Sequence, residues 1–314
     1  FKFINITLIF YMNNNYNTDD SSKSGFVSII GSPNAGKSTL LNSILGQKIS
    51  IVTHKPQTTR SSIKGILNFN SSQIIFVDTP GIFSPNTKLD NAMVNSAWRS
   101  YKDADISCFI YDSTKITIDK NNLEIINKFI KNKKKSCLIM NKIDLIDPKS
   151  LLPKVKKIIS IFEFDRVFMI SSTKKSGINE LINWISLNLP SNPFFYDNDS
   201  ISDLPSALMV SEILREKLML FLHKEIPYNL SVDTEKWELK KDNTIKINMI
   251  INVNKKSHKT IVLGKKGVNI KNIGISARKD IEKLLGTKVH LFIFVKIKEN
   301  CLEDNDYFRK WGLE

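Results

Sequence analysis

The sequence predicts an α/β domain built on a mostly parallel sheet, followed by a smaller α+β domain. Three observations carry this. From Gly25 to about Leu189, short apolar runs alternate with segments of helical spacing, the signature of βαβ units. After Leu189 the pattern breaks in PSNPFFYDNDSISDLPS, a stretch rich in Pro, Ser, Asn and Asp. Beyond it the order becomes helix, two strands, two helices, strand, over about 100 residues. A chain of 314 residues, 41% hydrophobic and 25% charged, has the length for two such domains and the apolar side chains to fill both cores.

The first domain is expected over 25–190. Its strands are FVSII (26–30), IKGILNF (63–69), QIIFVD (73–78), ISCFIYD (106–112), SCLIMN (136–141) and RVFMIS (166–171). Helical spacing appears at 38–45, 91–102, 123–131 and 178–189. Only turn residues separate the two strands within 63–78, so one antiparallel hairpin is expected there. Residues 191–205 read as a linker whose Phe194, Phe195 and Tyr196 give it something to pack with. The second domain spans 206–300. It has a helix at 206–223, strands at 229–236 and 244–253, helices at 259–263 and 268–285, and the alternating strand KVHLFIFVKIK at 288–298. Residues 301–314 form a C-terminal tail, and there is no internal repeat.

The net charge of +15 divides almost evenly at Leu204, roughly +8 before it and roughly +7 after, so it points to neither half. Local clustering is more informative: nine Lys and Arg and no acid lie between Asp242 and Asp280. Cys108, Cys137 and Cys301 have no metal-ligand spacing and form no disulfide framework, which suits a reducing cytoplasm. The chain begins FKFINITLIFYM, apolar but too short to span a bilayer. It lacks a small-residue cleavage site, and Met12 followed by a polar tail reads as the true start. Residues 1–11 are then an upstream translation artefact, with a weak membrane-contacting segment as the alternative.

GSPNAGKST (31–39) fits the P-loop pattern G-x-x-x-x-G-K-[ST], between a strand and a helix as that motif requires. Gly31 and Gly36 let the backbone curl around Ser32, Pro33, Asn34 and Ala35, so that N–H groups face a phosphate chain. The helix start that carries Thr39 adds its dipole. Lys37 is expected to reach the β/γ-phosphates, and the Ser38 hydroxyl to ligate Mg²⁺. DTPG (78–81) ends the third strand. Asp78 would hold Mg²⁺ through water, and the Gly81 N–H would sense the γ-phosphate, with Thr79, Pro80 and Ile82 beside the nucleotide. In QTTR (57–60), Thr58 or Thr59 would reach the metal; the sequence leaves the choice open.

NKID (141–144) selects the base. An Asp144 carboxylate accepts two N–H donors of guanine, which adenine does not offer, and this argues against an ATPase. Asn141 would serve the other edge of the base, and the Lys142 stem its face. MISS (169–172) would place Ser171 and Ser172 near guanine. Ile82 stands where Ras-type switches carry a water-orienting Gln, so intrinsic hydrolysis should be slow. In the second domain GKKG (264–267) lies between two helices. A GxxG turn brings the backbone close to nucleic acid while Lys265 and Lys266 meet phosphates, the KH arrangement.

Together the two halves resemble the Era family of bacterial GTPases over nearly all of 25–312. The matching blocks include GSPNAGKSTLLN, GQKISIVTHKPQTTR, DTPG, NKID, SEILREKL, EIPY, VLGKKGVNIKNIGISARKDIE and KVHLFIFVKIK. The resemblance implies a P-loop GTPase domain followed by a type II KH domain. It also implies GTP/GDP and Mg²⁺ as ligands and 16S ribosomal RNA near its 3′ end, within the 30S subunit, as partner. It assigns RNA contact to Gly264, Lys265, Lys266, Gly267 and the following helix with Lys271 and Arg278. It further implies a monomer that is cytoplasmic, with peripheral association to the inner membrane, and it suggests K⁺ at the phosphates because of Asn34. Ser172 departs from the Ala of the family's guanine-proximal motif. The alternative is a GTPase whose basic C-terminal domain meets membrane or protein.

Overall fold

The computed structural model describes residues 22–131, 134–223 and 225–313. The apolar N-terminal stretch 1–11 lies outside them. The elements run β1 (Lys23–Ile30), α1 (Lys37–Leu45), β2 (Ile63–Phe69), β3 (Ser72–Asp78), α2 (Lys88–Asp103), β4 (Ile106–Asp112), α3 (Lys120–Lys131), β5 (Lys135–Asn141), α4 (Leu151–Ile159), β6 (Arg166–Ile170) and α5 (Ile178–Asn188). They continue with α6 (Ser206–Phe221), β7 (Leu230–Leu239), β8 (Ile245–Val253), α7 (Lys256–Leu263), α8 (Val268–Leu285), β9 (Val289–Ile297) and α9 (Asn305–Lys310).

The first six strands form one sheet in the order β2-β3-β1-β4-β5-β6. Every neighbouring pair is parallel except β2–β3, the expected hairpin. Helices cover both faces, so the central strands β4 and β5 are buried along nearly their whole length and mostly apolar. The pleat divides them. Cys108 and Ile110 join one core with α1 and α5, while Phe109 and Tyr111 join the other with α2, α3 and α4. Cys108 and Cys137 face each other across β4 and β5 as buried free thiols, Sγ to Sγ 3.4 Å. Because β1, β3, β5 and β6 run parallel, the residues that follow them gather on one edge of the sheet, where ligands bind in open α/β folds.

The second sheet is β7-β8-β9, with β7–β8 antiparallel and β8–β9 parallel. Helices α6 and α8 close its apolar face through Val210, Leu214, Leu218, Ile273, Ala277 and Ile281. Residues 191–205 pack onto the first domain. The Phe195 ring lies 5.3 Å from Phe26, and Gln73 accepts from the backbone N–H of Phe195 and Tyr196 at 2.8 and 2.9 Å. Helices α4 and α9 were not expected from the sequence. Helix α9 is short and rests on tertiary contacts: Tyr307, Phe308 and Trp311 cover Leu89 and Met93 of α2. Among the described residues no helix is long and apolar enough to cross a membrane.

Candidate nucleotide site and nucleic-acid interface

Between β1 and α1 the P-loop curls as its composition requires. Gly36 has φ 100°, and a Cβ there would lie 2.2 Å from the Asn141 Nδ2. Asn34 also takes the left-handed region, φ 62°, and its Nδ2 donates to the His54 carbonyl at 3.1 Å. The Lys37 ammonium is buried and donates to the carbonyls of Gly31 and Ser32 at 3.1 and 3.0 Å. Burial lowers its pKa to about 8 against the opposing pull of Asp78. A phosphate chain would favour the charged form further.

Three oxygens converge beside it. The Ser38 hydroxyl donates to Asp78 Oδ2 at 2.7 Å and lies 3.0 Å from the Thr59 hydroxyl. Burial raises the Asp78 pKa, opposed by Ser38 and Lys37. Its Oδ1 is buried with no hydrogen-bond partner. A carboxylate with an orphaned oxygen, bonded to one hydroxyl that in turn meets a second, is a donor set that suits a hard divalent cation. The two threonines are thereby distinguished. Thr59 faces Ser38, whereas Thr58 turns away and bonds to Thr53 and the Lys55 carbonyl, both at 2.7 Å.

Two residues expected beside the nucleotide have side chains pointing elsewhere. Thr79 is fully buried and donates to the Ile29 carbonyl at 2.8 Å. Ile82 is fully buried in the core with Ala97, Tyr101 and Phe109, and its N–H reaches the P-loop, donating to the Gly31 carbonyl at 3.1 Å. Hence Ile82→Gln should not accelerate hydrolysis. It would bury an unpartnered amide and lower stability by about 2 kcal/mol or more. Turnover and a urea melt of the variant check this; a faster enzyme of unchanged stability would refute it.

Gly81 packs so closely that a Cβ would lie 2.9 Å from Pro33 of the P-loop. Asn141 holds the site together instead of facing open space. Its Nδ2 donates to the Ala35 carbonyl at 2.9 Å, and its Oδ1 accepts from the Ser172 hydroxyl at 2.8 Å and the Ser172 N–H at 3.2 Å. Lys142, φ 62°, is paired with Asp112 at 2.6 Å. Asp144 is exposed and held below the usual carboxylate range chiefly by the Ser171 hydroxyl. A cavity of about 550 Å³ opens between these parts, lined by the P-loop, by residues 51–54 and 57–59, and by Gly81 and Lys142. A larger one, about 770 Å³, lies between α2 and the C-terminal segment and has none of the phosphate-binding loops.

In the second domain the GKKG turn is strained in the way glycine permits. Gly264 has φ 73° and ψ 173°, Lys266 φ 51° and Gly267 φ 77°. Lys265 and Lys266 are exposed. The turn opens α8, and between α8 and the edge strand β9 runs a groove of about 290 Å³ lined by Ile270, Lys271, Gly274, Ile275, Arg278, Leu291 and Ile293. Its floor is apolar and its rim carries Lys271 and Arg278, which suits stacked bases beside a phosphate backbone. The apolar floor was missed from sequence because half of it comes from β9.

Sequence reasoning also missed Arg60. It is buried and donates to the Leu230 carbonyl and the Tyr307 hydroxyl, each at 3.0 Å, and to the Tyr228 carbonyl at 3.1 Å. It joins the loop that follows α1 to the second domain.

Residues 26–142 match the family described as 50S ribosome-binding GTPase, and residues 225–302 match the KH domain. GTPase Era of Brucella suis biovar 1 (strain 1330) is 45% identical over 293 residues, which cover 93% of this chain and 94% of that one. GTPase Era of Agrobacterium fabrum (strain C58) is 46% identical over 294 residues, 93% of this chain and 92% of that one. A crystal structure of Era with MgGDPNP and nucleotides 1506–1542 of 16S ribosomal RNA superposes with TM-score 0.88 at 37% identity, covering 93% of this chain and 99% of that one. A point variant of Aquifex aeolicus Era bound to GDP and tetrafluoroaluminate gives TM-score 0.87 at 36% identity, with the same coverage.

Proposed function

Because this chain belongs to the Era family of GTPases, we propose that its GTP cycle controls binding of the KH groove to the 3′ end region of 16S ribosomal RNA during assembly of the 30S subunit. The chain is a GTPase that takes a guanine nucleotide with Mg²⁺. The observation that carries the wider reading is the pairing of a phosphate cradle with a basic-rimmed, apolar-floored groove opened by GKKG.

In this reading the P-loop amides and Lys37 hold the phosphates. Ser38, Thr59 and Asp78 would hold Mg²⁺, which when bound neutralises charge on the phosphates. Asp144 reads guanine, and Asn141 braces the loops that frame it. In hydrolysis a water oxygen bonds to the γ-phosphorus, the bond to the β–γ bridging oxygen breaks, and GDP leaves with that electron pair. The water's proton passes to phosphate or solvent. With Ile82 turned into the core, no side chain after DTPG orients that water, and the intrinsic rate is slow. K⁺ beside Asn34 belongs to the same proposal.

GTP would order the QTTR and DTPG loops and favour the arrangement in which the groove accepts RNA; hydrolysis would reverse it and release the particle. The nine cations between Asp242 and Asp280 would also meet anionic lipid, which supports peripheral association with the inner membrane. The test is RNA affinity with a non-hydrolysable GTP analogue against GDP. The expected result is tighter binding with the analogue by about tenfold, a coupling of ordinary size. Equal affinities in both states would remove the switch.

A further inference from the structure

We propose that Arg215, on α6 of the second domain, is a positioning residue for GTP hydrolysis in the first: it fixes the Thr58 carbonyl and so sets Thr59 beside Ser38 and Asp78. The inference rests on the GTPase reading and on Thr59 as the metal-facing threonine.

The loop between α1 and β2, residues 46–62, contains no helix or strand. Much of what holds it comes from one face of α6. The Arg215 guanidinium is 2% exposed and forked on Glu212, Nε to Oε1 at 2.6 Å and Nη2 to Oε2 at 2.5 Å. The same Nη2 donates to the Thr58 carbonyl. One residue on, Glu216 accepts from the Val52 N–H at 2.9 Å and from Lys48 at 2.5 Å. At the end of the helix the Lys55 ammonium donates to the carbonyls of Met219, at 2.5 Å, and Leu222. Positions 212, 215, 216 and 219 share a helix face, so the loop is gripped by a single rigid surface.

The choice of an ion pair there is informative. A buried Arg–Glu pair gives little net stability, and apolar residues of the same volume serve a core as well. What it supplies is direction: with the planar fork locked on Glu212 and Nη1 turned to the Met219 sulfur at 3.5 Å, the remaining Nη2 donor ends on the peptide joining Thr58 to Thr59. The peptide is the hinge between a threonine turned away from the site and one turned into it.

The face also reaches the groove. Lys48 and Lys217 both pair with Asp280 of α8, at 3.2 and 2.5 Å, two residues from Arg278 on the groove rim. Lys48 therefore touches the loop's anchor, Glu216, and the groove helix at once. Displacement of α8 by a ligand would be felt at the same anchors that set Thr59.

The test uses the full chain with GTP and Mg²⁺. Arg215→Lys keeps a cation beside Glu212, but an ammonium cannot make the fork and reach Thr58 together. It is expected to lower kcat about tenfold or more and raise the Mg²⁺ concentration for half-maximal turnover, the scale of a lost charge-assisted hydrogen bond. GDP affinity and melting temperature should stay near those of the unsubstituted chain, since GDP does not need Thr59. The neutral pair Glu212→Gln with Arg215→Met removes both charges of the pair together, leaving neither without its partner, and should show the same split. Unchanged kcat and Mg²⁺ dependence in both variants would overturn the assignment. So would parallel losses of kcat, GDP affinity and melting temperature, which mark a structural role. If the unsubstituted chain itself turned over no GTP, the GTPase reading would fail, and not Arg215.

Discussion

Asp144→Asn is expected to convert the site from GTP to xanthosine triphosphate. The carboxylate is an acceptor on both oxygens, which matches the N1–H and N2–H donors of guanine. The amide presents one acceptor and one donor group, which matches xanthine, where the 2-amino group is replaced by a carbonyl. Asp144 sits in the short turn Ile143–Leu145 just after β5, exposed, with the Ser171 hydroxyl holding its carboxyl below the usual range. Its replacement therefore removes recognition without disturbing packing. A site built to hydrogen-bond a group rejects the analogue lacking the match by large factors, so GTP affinity should fall at least about a hundredfold. Xanthosine triphosphate affinity should rise in the same variant. Competition of the two nucleotides against a fluorescent GDP analogue measures both. Retained GTP preference would mean that the base is read elsewhere.

The motifs announced the site because each is a contiguous run with its own chemistry: P-loop, DTPG and NKID lie at the ends of β1, β3 and β5, and parallel strands bring those ends together. What a motif does not state is which of its side chains faces the ligand. Thr79 and Ile82 occupy positions in or just after DTPG, yet both turn inward. Asn141 lies in NKID but spends its amide on Ala35 and Ser172. Between Thr58 and Thr59 the deciding contact is Ser38, 21 residues away.

Long separations hid the rest. Arg215 and Thr58 are 157 residues apart, and Arg60 and Tyr307 are 247 apart. No local pattern foretells such a contact. Helix α9 has six residues and no independent stability, so it exists through Leu89 and Met93. Helix α4 has its buried residues Leu151, Val155 and Ile158 at helical spacing, a signal legible in the sequence, with Pro153 in its first turn, where proline is tolerated.

The second large effect is expected at GKKG. Gly264→Asp with Gly267→Asp should abolish RNA binding, by about a hundredfold or more, while GTP turnover without RNA stays near its normal rate. Two physical causes act together. Gly264 has φ 73° and ψ 173°, a region essentially closed to other residues, and a Cβ would lie 2.9 Å from the Asn269 backbone nitrogen. The turn must then shift, at a cost of about 1–3 kcal/mol, and the backbone loses its close approach to a phosphate. Gly267 is different: φ is 77°, but nothing lies within 4 Å of an added Cβ. There the substitution acts mainly through charge, placing a carboxylate beside Lys265 and Lys266 where phosphates would lie. Gly267→Asp alone therefore separates recognition from folding. It should weaken binding of a 16S 3′-end RNA strongly while the melting temperature falls only slightly. The first domain does not depend on this turn, because the contacts described between it and the second run through α6, Asp280 and the Arg60 partners Tyr228 and Leu230, none of them in the turn. If RNA binding survived both substitutions, the groove between α8 and β9 would lose its role, and the basic stripe would be left to an anionic surface of another kind.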